Sequence, residues 1–276
     1  MAATAPTFFD VKPNKQHTMI QLIDTHSHLY DSAFADDIDS VIGNALGCGV
    51  SAIVLPAIDS STHAAQHALC QKHPGLLTQM IGVHPTSIAE NYHSELEAVE
   101  KHLSSAPHRY VAIGEIGLDY YWDTTYSRQQ VHALEQQLRW ANQYHKPVCL
   151  HIRNAYTEML EVLTHIEVER KGVFHCFSGT ADEAQKAIDM GYLLGIGGVV
   201  TFKKSALADI VREVPLDKIV LETDSPYLAP TPFRGKRNES AYCKIVAEKV
   251  AELKNTTLEE VAAATSANAK RLFGLK

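Results

Sequence analysis

Residues 147–175, PVCLHIRNAYTEMLEVLTHIEVERKGVFH, contain one complete structural repeat. The short apolar segment 147–151 predicts a buried strand, and the apolar residues of 155–168 recur at the spacing of an amphipathic helix. The segment 171–175 predicts the next strand. A strand, a helix and a second strand in this order are typical of a parallel β/α unit.

The same alternation continues along the chain. Strand-like segments occur at 20–25, 51–57, 78–83, 110–115, 147–151, 171–175, 192–197 and 218–224. Helical periodicity is found between them at 36–47, 61–72, 94–104, 127–145, 155–168, 181–190 and 205–213. Eight near-continuously apolar strands predict a closed (β/α)₈ TIM barrel of the α/β class, with an open doubly wound sheet as the alternative. Two extra C-terminal helices, at 239–253 and 258–270, would close it off.

The composition is that of an ordinary globular protein. Of the 276 residues, 45% are hydrophobic and 21% are charged. No apolar run approaches the roughly 20 residues of a membrane-spanning helix, so no membrane contact is expected. The five cysteines form no C-x-x-C pair, which favours a reducing cytoplasm over a disulfide framework. The net charge of −7 argues against a broad basic surface for nucleic acid, so any contact with a polyanion must be local.

No linker or repeat divides the chain, so residues 20–276 are predicted to form one (β/α)₈ domain. Residues 1–19 lack the charged-then-apolar order of a signal peptide. A flexible arm, a tag or a misplaced start would each explain them.

Six side chains of metal-binding type stand at the ends of predicted strands: His26, His28, Glu115, His151, His175 and Asp224. The carboxyl ends of the strands of a β/α barrel converge on one mouth, where active sites are built. His26 and His28 are two positions apart and therefore point the same way along their strand. We expect all six to meet around this mouth.

Each of the six also has an interpretation without metal. A histidine pair arises by chance in a chain with 15 histidines, and a lone histidine is commonly a core residue. Asp224 could cap the following turn, and Glu115 could pair with a buried base. The conjunction of six such residues at strand ends favours a metal site.

The nitrogen and oxygen ligand set suits divalent ions such as Zn²⁺ or Mn²⁺ and is rich in nitrogen for Mg²⁺ alone. Six protein ligands exceed what one catalytic ion with open positions uses. We therefore predict two divalent ions per chain (Mg²⁺, Mn²⁺ or Zn²⁺) that share Glu115.

Other polar residues near the strands are expected to be structural. Asp24 lies deeper on the face of His26 and is expected to support the site rather than to bind metal. Cys149 and Cys176 are expected to pack. Eight histidines in helices or loops are expected to lie on the surface without partners: His63, His67, His73, His93, His102, His132, His145 and His165.

Six motifs resemble, in order, those of the TatD family of metal-dependent deoxyribonucleases, within the amidohydrolase-like barrels. They are IDTHSHLYD (23–31), IGVHP (81–85), AIGEIGLDYYWD (112–123), PVCLHIRNA (147–155), FHCFSGT (174–180) and LETDSPYLAPTPFRGKRNES (221–240). The resemblance implies a (β/α)₈ barrel with a two-metal centre that hydrolyses DNA phosphodiesters.

By position, the resemblance assigns His26, His28 and Asp224 to the first ion, His151 and His175 to the second, and Glu115 to both. One departure is the family's N-E-P, which reads Asn238, Glu239, Ser240 here and leaves the rigidity of that loop open.

The chemistry expected of such a centre is attack by a metal-activated water on a phosphodiester. Asp224 could orient this water and accept its proton, with Glu115 as the second catalytic carboxylate. His84, at the end of the third strand, is a candidate to protonate the leaving group or contact the phosphate, although it could equally stabilise its turn.

Substrate contacts are expected from the loops at the mouth. Arg153 and the basic run Arg234, Lys236 and Arg237 could supply local positive charge, although a basic run is also typical of a plain solvated surface. Tyr120, Tyr121 and Trp122 offer faces on which unpaired bases could stack, although core packing would explain part of this cluster.

The predicted function is therefore cytoplasmic, metal-dependent hydrolysis of DNA, exonucleolytic from single-stranded or frayed DNA ends. Nucleic acid is the predicted partner, as substrate, and no obligate protein partner is evident. One alternative is a metal-dependent deacylase or amidohydrolase acting on an ester or amide, such as a misacylated tRNA, because a scaffold does not decide chemistry by itself. The other is a non-catalytic, metal-stabilised interaction module.

Overall fold

Eight parallel strands follow one another around one sheet in the computed structural model, which describes residues 20–276. They are β1 (Leu22–Asp24), β2 (Val50–Leu55), β3 (Leu77–Ile81), β4 (Tyr110–Asp119), β5 (Val148–Arg153), β6 (Val173–Phe174), β7 (Leu193–Ile196) and β8 (Ile219–Leu221). Each strand pairs with the next along the chain. The predicted arm, tag or misplaced start at 1–19 lies outside the described residues.

Contacts between β1 and β8 close the sheet. The Thr25 backbone N–H and its hydroxyl both donate to the carbonyl of Leu221 at 3.0 Å. Beyond the strands, Ser27 and Ser225 form a parallel bridge. The eight strands thus form a nearly closed barrel, which confirms the predicted (β/α)₈ fold and excludes the open doubly wound sheet.

Helices alternate with the strands and cover the outside of the barrel. They are α1 (Ile38–Gly47), α2 (His63–Lys72), α3 (Tyr92–Ser105), α4 (Ser127–Gln143), α5 (Tyr156–His165), α6 (Ala181–Asp189), α7 (Leu207–Glu213), α8 (Cys243–Lys254) and α9 (Leu258–Phe273). The last two are the predicted C-terminal helices. Within residues 20–276, none of these helices combines the length and the apolarity that crossing a membrane requires.

Local sequence signals fix where α9 begins and ends. The Thr257 hydroxyl accepts the N–H of Glu260 while the Glu260 carboxylate accepts the N–H of Thr257, a reciprocal capping box. Gly274 ends the helix at φ 68°, a left-handed conformation that favours glycine. The helix therefore stops just after Phe273, whose buried side chain reaches the barrel interior.

Alternation along the strands separates two apolar layers. One face of the strands packs against the helices. The other fills the barrel with one residue from each strand: Ile23, Val54, Met80, Ala112, Cys149, Val173, Leu193 and Val220. Ala269 and Phe273 of α9 pack against this interior layer. The barrel is thus a filled core, and polar side chains are left for its mouth.

One strand differs from the sequence prediction in a way that matters for function. The prediction ended the fourth strand at Glu115, whereas β4 continues to Asp119. Gly117 permits this, because a Cβ there would lie 1.9 Å from the carbonyl oxygen of His151 on the paired strand. Glu115 therefore lies within β4 rather than at its end, and points into the barrel.

Candidate metal centre

The six predicted ligands lie together in the barrel, toward the carboxyl ends of the strands. His26 and His28 follow β1, Glu115 lies within β4, His151 lies within β5, His175 follows β6, and Asp224 follows β8. Three combinations of these side chains and His84 bring ligand atoms close enough to hold an ion. The spatial grouping expected from the topology is therefore present.

The Glu115 carboxylate stands at the middle of the site. Its Oε2 lies 3.0 Å from Nε2 of His26 and 3.7 Å from Nε2 of His28. Its Oε1 lies 3.0 Å from Nδ1 of His151 and 3.1 Å from Nε2 of His175. Each oxygen thus faces a different pair of imidazoles, as a shared carboxylate would.

Asp224 completes the group around Oε2 of Glu115. Its Oδ1 lies 3.4 Å from Nε2 of His28 and 3.7 Å from Nε2 of His26. The residue has φ 58°, and its N–H donates to the His26 carbonyl at 2.8 Å. This uncommon backbone conformation for a non-glycine residue is held by the contact between the β1 and β8 loops.

Hydrogen bonds on the outer side of His28 fix which nitrogen faces the centre. The Tyr30 hydroxyl donates to the Pro56 carbonyl at 2.8 Å, so its oxygen is left to accept from Nδ1 of His28, 3.0 Å away. We therefore assign the proton to Nδ1 and a lone pair to Nε2. On His26, the corresponding Nδ1 lies 3.4 Å from Sγ of Cys149.

Two further carboxylates orient the other histidines. Asp119 Oδ2 lies 3.0 Å from Nε2 of His151, and Glu222 Oε1 lies 3.3 Å from Nδ1 of His175. Each leaves the opposite nitrogen to face Glu115. A carboxylate behind a metal-binding histidine is a common arrangement that fixes the ring and raises its basicity.

Neither of these carboxylates was predicted from the sequence to belong to the site. Asp119 lies four residues after Glu115 on the same face of β4. This spacing was not used because the predicted strand ended at Glu115. Glu222 is two residues before Asp224, and Gly195 makes room for it, since a Cβ there would lie 2.3 Å from its Oε2. The Cys176 N–H donates to its Oε1 at 2.6 Å.

His84 presents a donor to the centre rather than a lone pair. The Thr86 N–H donates to Nδ1 of His84 at 3.1 Å, so in the neutral ring the proton lies on Nε2. That nitrogen lies 3.2 Å from Oε1 of Glu115. The structure thus places His84 beside the ligands, with an N–H available to a substrate oxygen.

The donor set fits divalent cations. Nε2 of His26 and Nε2 of His28 are 3.2 Å apart, and both lie near Oε2 of Glu115. Three possible ligand atoms therefore converge on one point, where a cation could contact all of them. Ligand atoms about 2.1 Å from a tetrahedral ion are about 3.4 Å apart, which is close to the spacings seen here.

The buried negative charge of Glu115 also favours a cation at the centre. Burial opposes the charge of Glu115, yet the imidazoles of His175 and His26 hold its pKa well below the usual range. Burial likewise opposes the charge of His175, yet Glu115 and Glu222 raise its pKa well above the usual range. A divalent cation bound here would compete with the proton that His175 holds.

Two of the predicted substrate residues, Arg153 and Arg234, lie over aromatic rings. Arg153 lies at the mouth with its guanidinium 3.6 Å from the ring centre of Tyr121 and 5.2 Å from that of Trp122. Arg234 lies over the ring of Phe202 at 4.5 Å. Tyr120 is only partly exposed and packs against the core, whereas the other two aromatic residues are exposed.

Arg237 and Lys236 lie in the exposed loop after β8, where Arg237 already has protein partners. Its guanidinium donates to both carboxylate oxygens of Asp37, at 2.8 Å and 2.6 Å, and to the carbonyl of Ala33. It also lies over Phe34. In this arrangement Arg237 ties the loop to the segment before α1, and its phosphate contact stays a prediction.

Asp24 and Asn238 form hydrogen bonds that hold the segments around the predicted ligands. Asp24 accepts hydrogen bonds from the N–H and hydroxyl of Thr223, as a supporting group would, and burial raises its pKa to about 7. Asn238 is buried and donates to the carbonyls of Thr223 and Tyr227, which holds the loop that departs from the family pattern.

His63 was predicted to lie on the surface, which is wrong, because it is only 6% exposed and lies against His102.

Comparison with known proteins agrees with the geometry. The TatD related DNase family profile matches residues 23–274. The chain is 37% identical over 254 residues to the uncharacterized metal-dependent hydrolase YabD of Bacillus subtilis, covering 91% of this chain and 98% of that protein. It is 34% identical over 261 residues to the 3'-5' ssDNA/RNA exonuclease TatD of Citrobacter rodentium, covering 92% and 98%.

Among solved structures, the TatD homolog YjjV of Escherichia coli K12 is similar with a TM-score of 0.89 and 30% sequence identity, and the match covers 94% of this chain and all of that one. Both the profile and the relatives span almost the whole barrel, including all six predicted ligands. The chain therefore belongs to the TatD family and is a metal-dependent hydrolase.

Proposed function

We propose that this protein uses two divalent ions to hydrolyse phosphodiester bonds at single-stranded or frayed DNA ends. The observation that carries the proposal is that the two oxygens of the Glu115 carboxylate face different histidines. Its Oε2 faces His26 and His28, and its Oε1 faces His151 and His175. The relative from Citrobacter rodentium that is named a 3'-5' ssDNA/RNA exonuclease supports the nucleic-acid substrate.

In this proposal His26, His28 and Asp224 hold one ion, His151 and His175 hold the other, and Glu115 binds both. Bound ions of this kind neutralise charge on phosphoryl oxygens and lower the pKa of a water.

Asp224 would then accept a proton and His84 would donate a hydrogen bond during the reaction. Burial alone would raise the pKa of Asp224, but the neighbouring imidazoles of His28 and His175 outweigh it and lower this pKa. Asp224 is therefore an ionised carboxylate at neutral pH and can accept a proton from the attacking water at Oδ1 or Oδ2. On the other side, Nε2–H of His84 can donate a hydrogen bond to the phosphate or to the leaving oxygen.

The shape and charge of the mouth favour an end of a single strand. Four of the six predicted ligands, His26, His28, Glu115 and His175, are buried within the barrel, which favours a strand end over a continuous duplex. Arg153 offers positive charge for a phosphate, and the exposed rings of Tyr121 and Trp122 offer stacking surfaces for unpaired bases. The overall charge of −7 does not favour a broad duplex contact.

A substrate panel tests the reaction class. Protein stripped of metal and reloaded with Mg²⁺, Mn²⁺, Co²⁺ or Zn²⁺ is incubated with end-labelled single-stranded, blunt and frayed DNA, with RNA, and with aminoacyl esters and dipeptides. We expect progressive shortening of single-stranded and frayed DNA. Cleavage of the esters or dipeptides alone would refute the nuclease and support the deacylase or amidohydrolase, and no cleavage by fully loaded protein would support a non-catalytic module.

The two-ion arrangement makes a separate prediction about occupancy. His28→Ala removes a ligand from the Oε2 side of Glu115 only, so we expect the protein to lose about one of its two ions and keep the ion held by His151 and His175. His151→Ala should show the converse loss. Elemental analysis after metal-replete dialysis measures both, with exposed His108→Ala as the control. Equal loss of both ions from His28→Ala would contradict independent sites.

A further inference from the structure

A small pocket adjoins the metal centre, between the loops that follow β3 and β4. Its volume is about 260 Å³, and its walls include Pro85, Ile88, Trp122 and Tyr126 together with Asp119 and Asp123. We call it the Trp122 pocket. Pockets for drug-sized ligands begin near about 300 Å³, so this one suits a smaller group such as a single base.

The Trp122 pocket is connected to the centre by hydrogen bonds. Asp119, in its wall, contacts Nε2 of His151 through Oδ2 at 3.0 Å. Thr86, which also lines it, contacts Nδ1 of His84 through its hydroxyl at 2.6 Å. Two of the residues that line the pocket, Asp119 and Thr86, thus directly contact His151 and His84 of the centre.

The polar lining of the Trp122 pocket is acidic. It includes two carboxylates and no lysine, arginine or histidine. Both oxygens of Asp119 have partners, the N–H of Tyr121 and His151. Asp123 accepts the N–H of Thr125 at 2.8 Å, which fixes its position while its carboxylate remains exposed. The pocket thus disfavours a phosphate and offers an acceptor to a neutral group that carries N–H donors.

The aromatic part of the pocket is exposed and held in place. Trp122 is 72% exposed, an unusual position for a large apolar ring. It meets Tyr121 edge to face, with ring centres 4.8 Å apart, and Arg153 lies over Tyr121. This arrangement presents a flat face for stacking and places a guanidinium close by for a backbone phosphate.

We propose that the Trp122 pocket binds the base next to the scissile phosphate and prefers bases with an exocyclic amino group over thymine. This inference rests on the proposed function. Stacking on Trp122 serves every base alike. The amino group of cytosine donates to a carboxylate, whereas thymine presents a carbonyl oxygen at the same position, which the Asp123 carboxylate repels.

Binding of mononucleotides tests the pocket directly. The chain has two tryptophans, and Trp140 is only 2% exposed, so quenching of tryptophan fluorescence reports on Trp122. With metal-loaded protein, we expect dCMP to bind at least about fivefold more tightly than dTMP, since one hydrogen bond to a charged group supplies at least this factor. Calorimetry gives the same comparison independently of the fluorophore.

Two variants separate the roles of the carboxylate and the ring. Asp123→Asn can donate to the thymine oxygen as well as accept, so we expect the preference to fall to within about twofold. Trp122→Ala should weaken both nucleotides by about fivefold or more, measured by calorimetry, because a stacking partner is lost. Asp182→Asn, an exposed aspartate on α6, is the matched control and should retain the full preference.

The outcomes distinguish this inference from the proposed function. Equal binding of dCMP and dTMP, or a preference that survives Asp123→Asn, would overturn the base pocket even if DNA is cleaved. A base preference that disappears in Asp123→Asn, with no cleavage of any oligonucleotide, would support the pocket and overturn the proposed nuclease.

Discussion

Glu115→Gln is expected to lower hydrolysis by at least about 1,000-fold, equivalent to roughly 4 kcal/mol of transition-state stabilisation. The Glu115 side chain is 2% exposed and each of its oxygens faces a separate pair of imidazoles. Glutamine keeps the shape but replaces one anionic oxygen with an NH₂ group. That group would point donors at one prospective ion and remove the charge that both ions share.

The same variant should change metal content as well as rate. We expect bound metal to fall from two ions to one or fewer per chain, because one side of the shared carboxylate can no longer bind a cation. Glu161→Gln, an exposed glutamate on α5, should keep both the rate and the metal content. Circular dichroism confirms folding of each variant. A folded Glu115→Gln protein that keeps two ions and more than a tenth of its activity would refute the shared-carboxylate assignment.

Topology explains why most of this site could be predicted. Parallel strands of a barrel all end at one mouth, so polar residues that terminate apolar segments in a linear sequence become neighbours in space. His26, His175 and Asp224 follow this rule, since each lies within three residues after the end of a short buried strand. The prediction needed only the order of the segments, not any knowledge of side-chain geometry.

Glu115 shows where the rule begins to fail. Glu115 was predicted to end its strand, but at the mouth of a barrel a strand can continue past a carboxylate that points inward. Gly117 allows the continuation, and the continuation brings Asp119 to His151. Sequence periodicity cannot distinguish a polar residue that faces a site from one that ends a strand.

Long-range partners could not be predicted either. Arg237 and Asp37 are 200 positions apart, and the basic run gave no sign that one member was already paired. Glu222 was overlooked because its contact with His175 depends on the space left by Gly195. Such choices follow from the packing of loops against each other, which composition and spacing do not encode.

Removing the metal is expected to lower the melting temperature by about 10–20 °C. An ion present at about 100 times its dissociation constant contributes about 2.7 kcal/mol, so two ions contribute roughly 5 kcal/mol. For a domain of this size, each kcal/mol shifts the melting temperature by about 2–4 °C. The physical reason is that a bound cation would attract the buried carboxylate of Glu115 and the nitrogens of His26 and His28 at the same time, and so hold three segments of the chain together.

Differential scanning calorimetry with and without EDTA measures this shift, and readdition of the metal should reverse it. EDTA already saturated with the same metal is the control for effects of the chelator itself. Glu115→Gln should show a much smaller EDTA-dependent shift, because it has fewer ions to lose. A change below about 2 °C in the unsubstituted protein, with metal shown to be removed, would mean that the centre is stable without cations and that its side chains are held by the barrel alone.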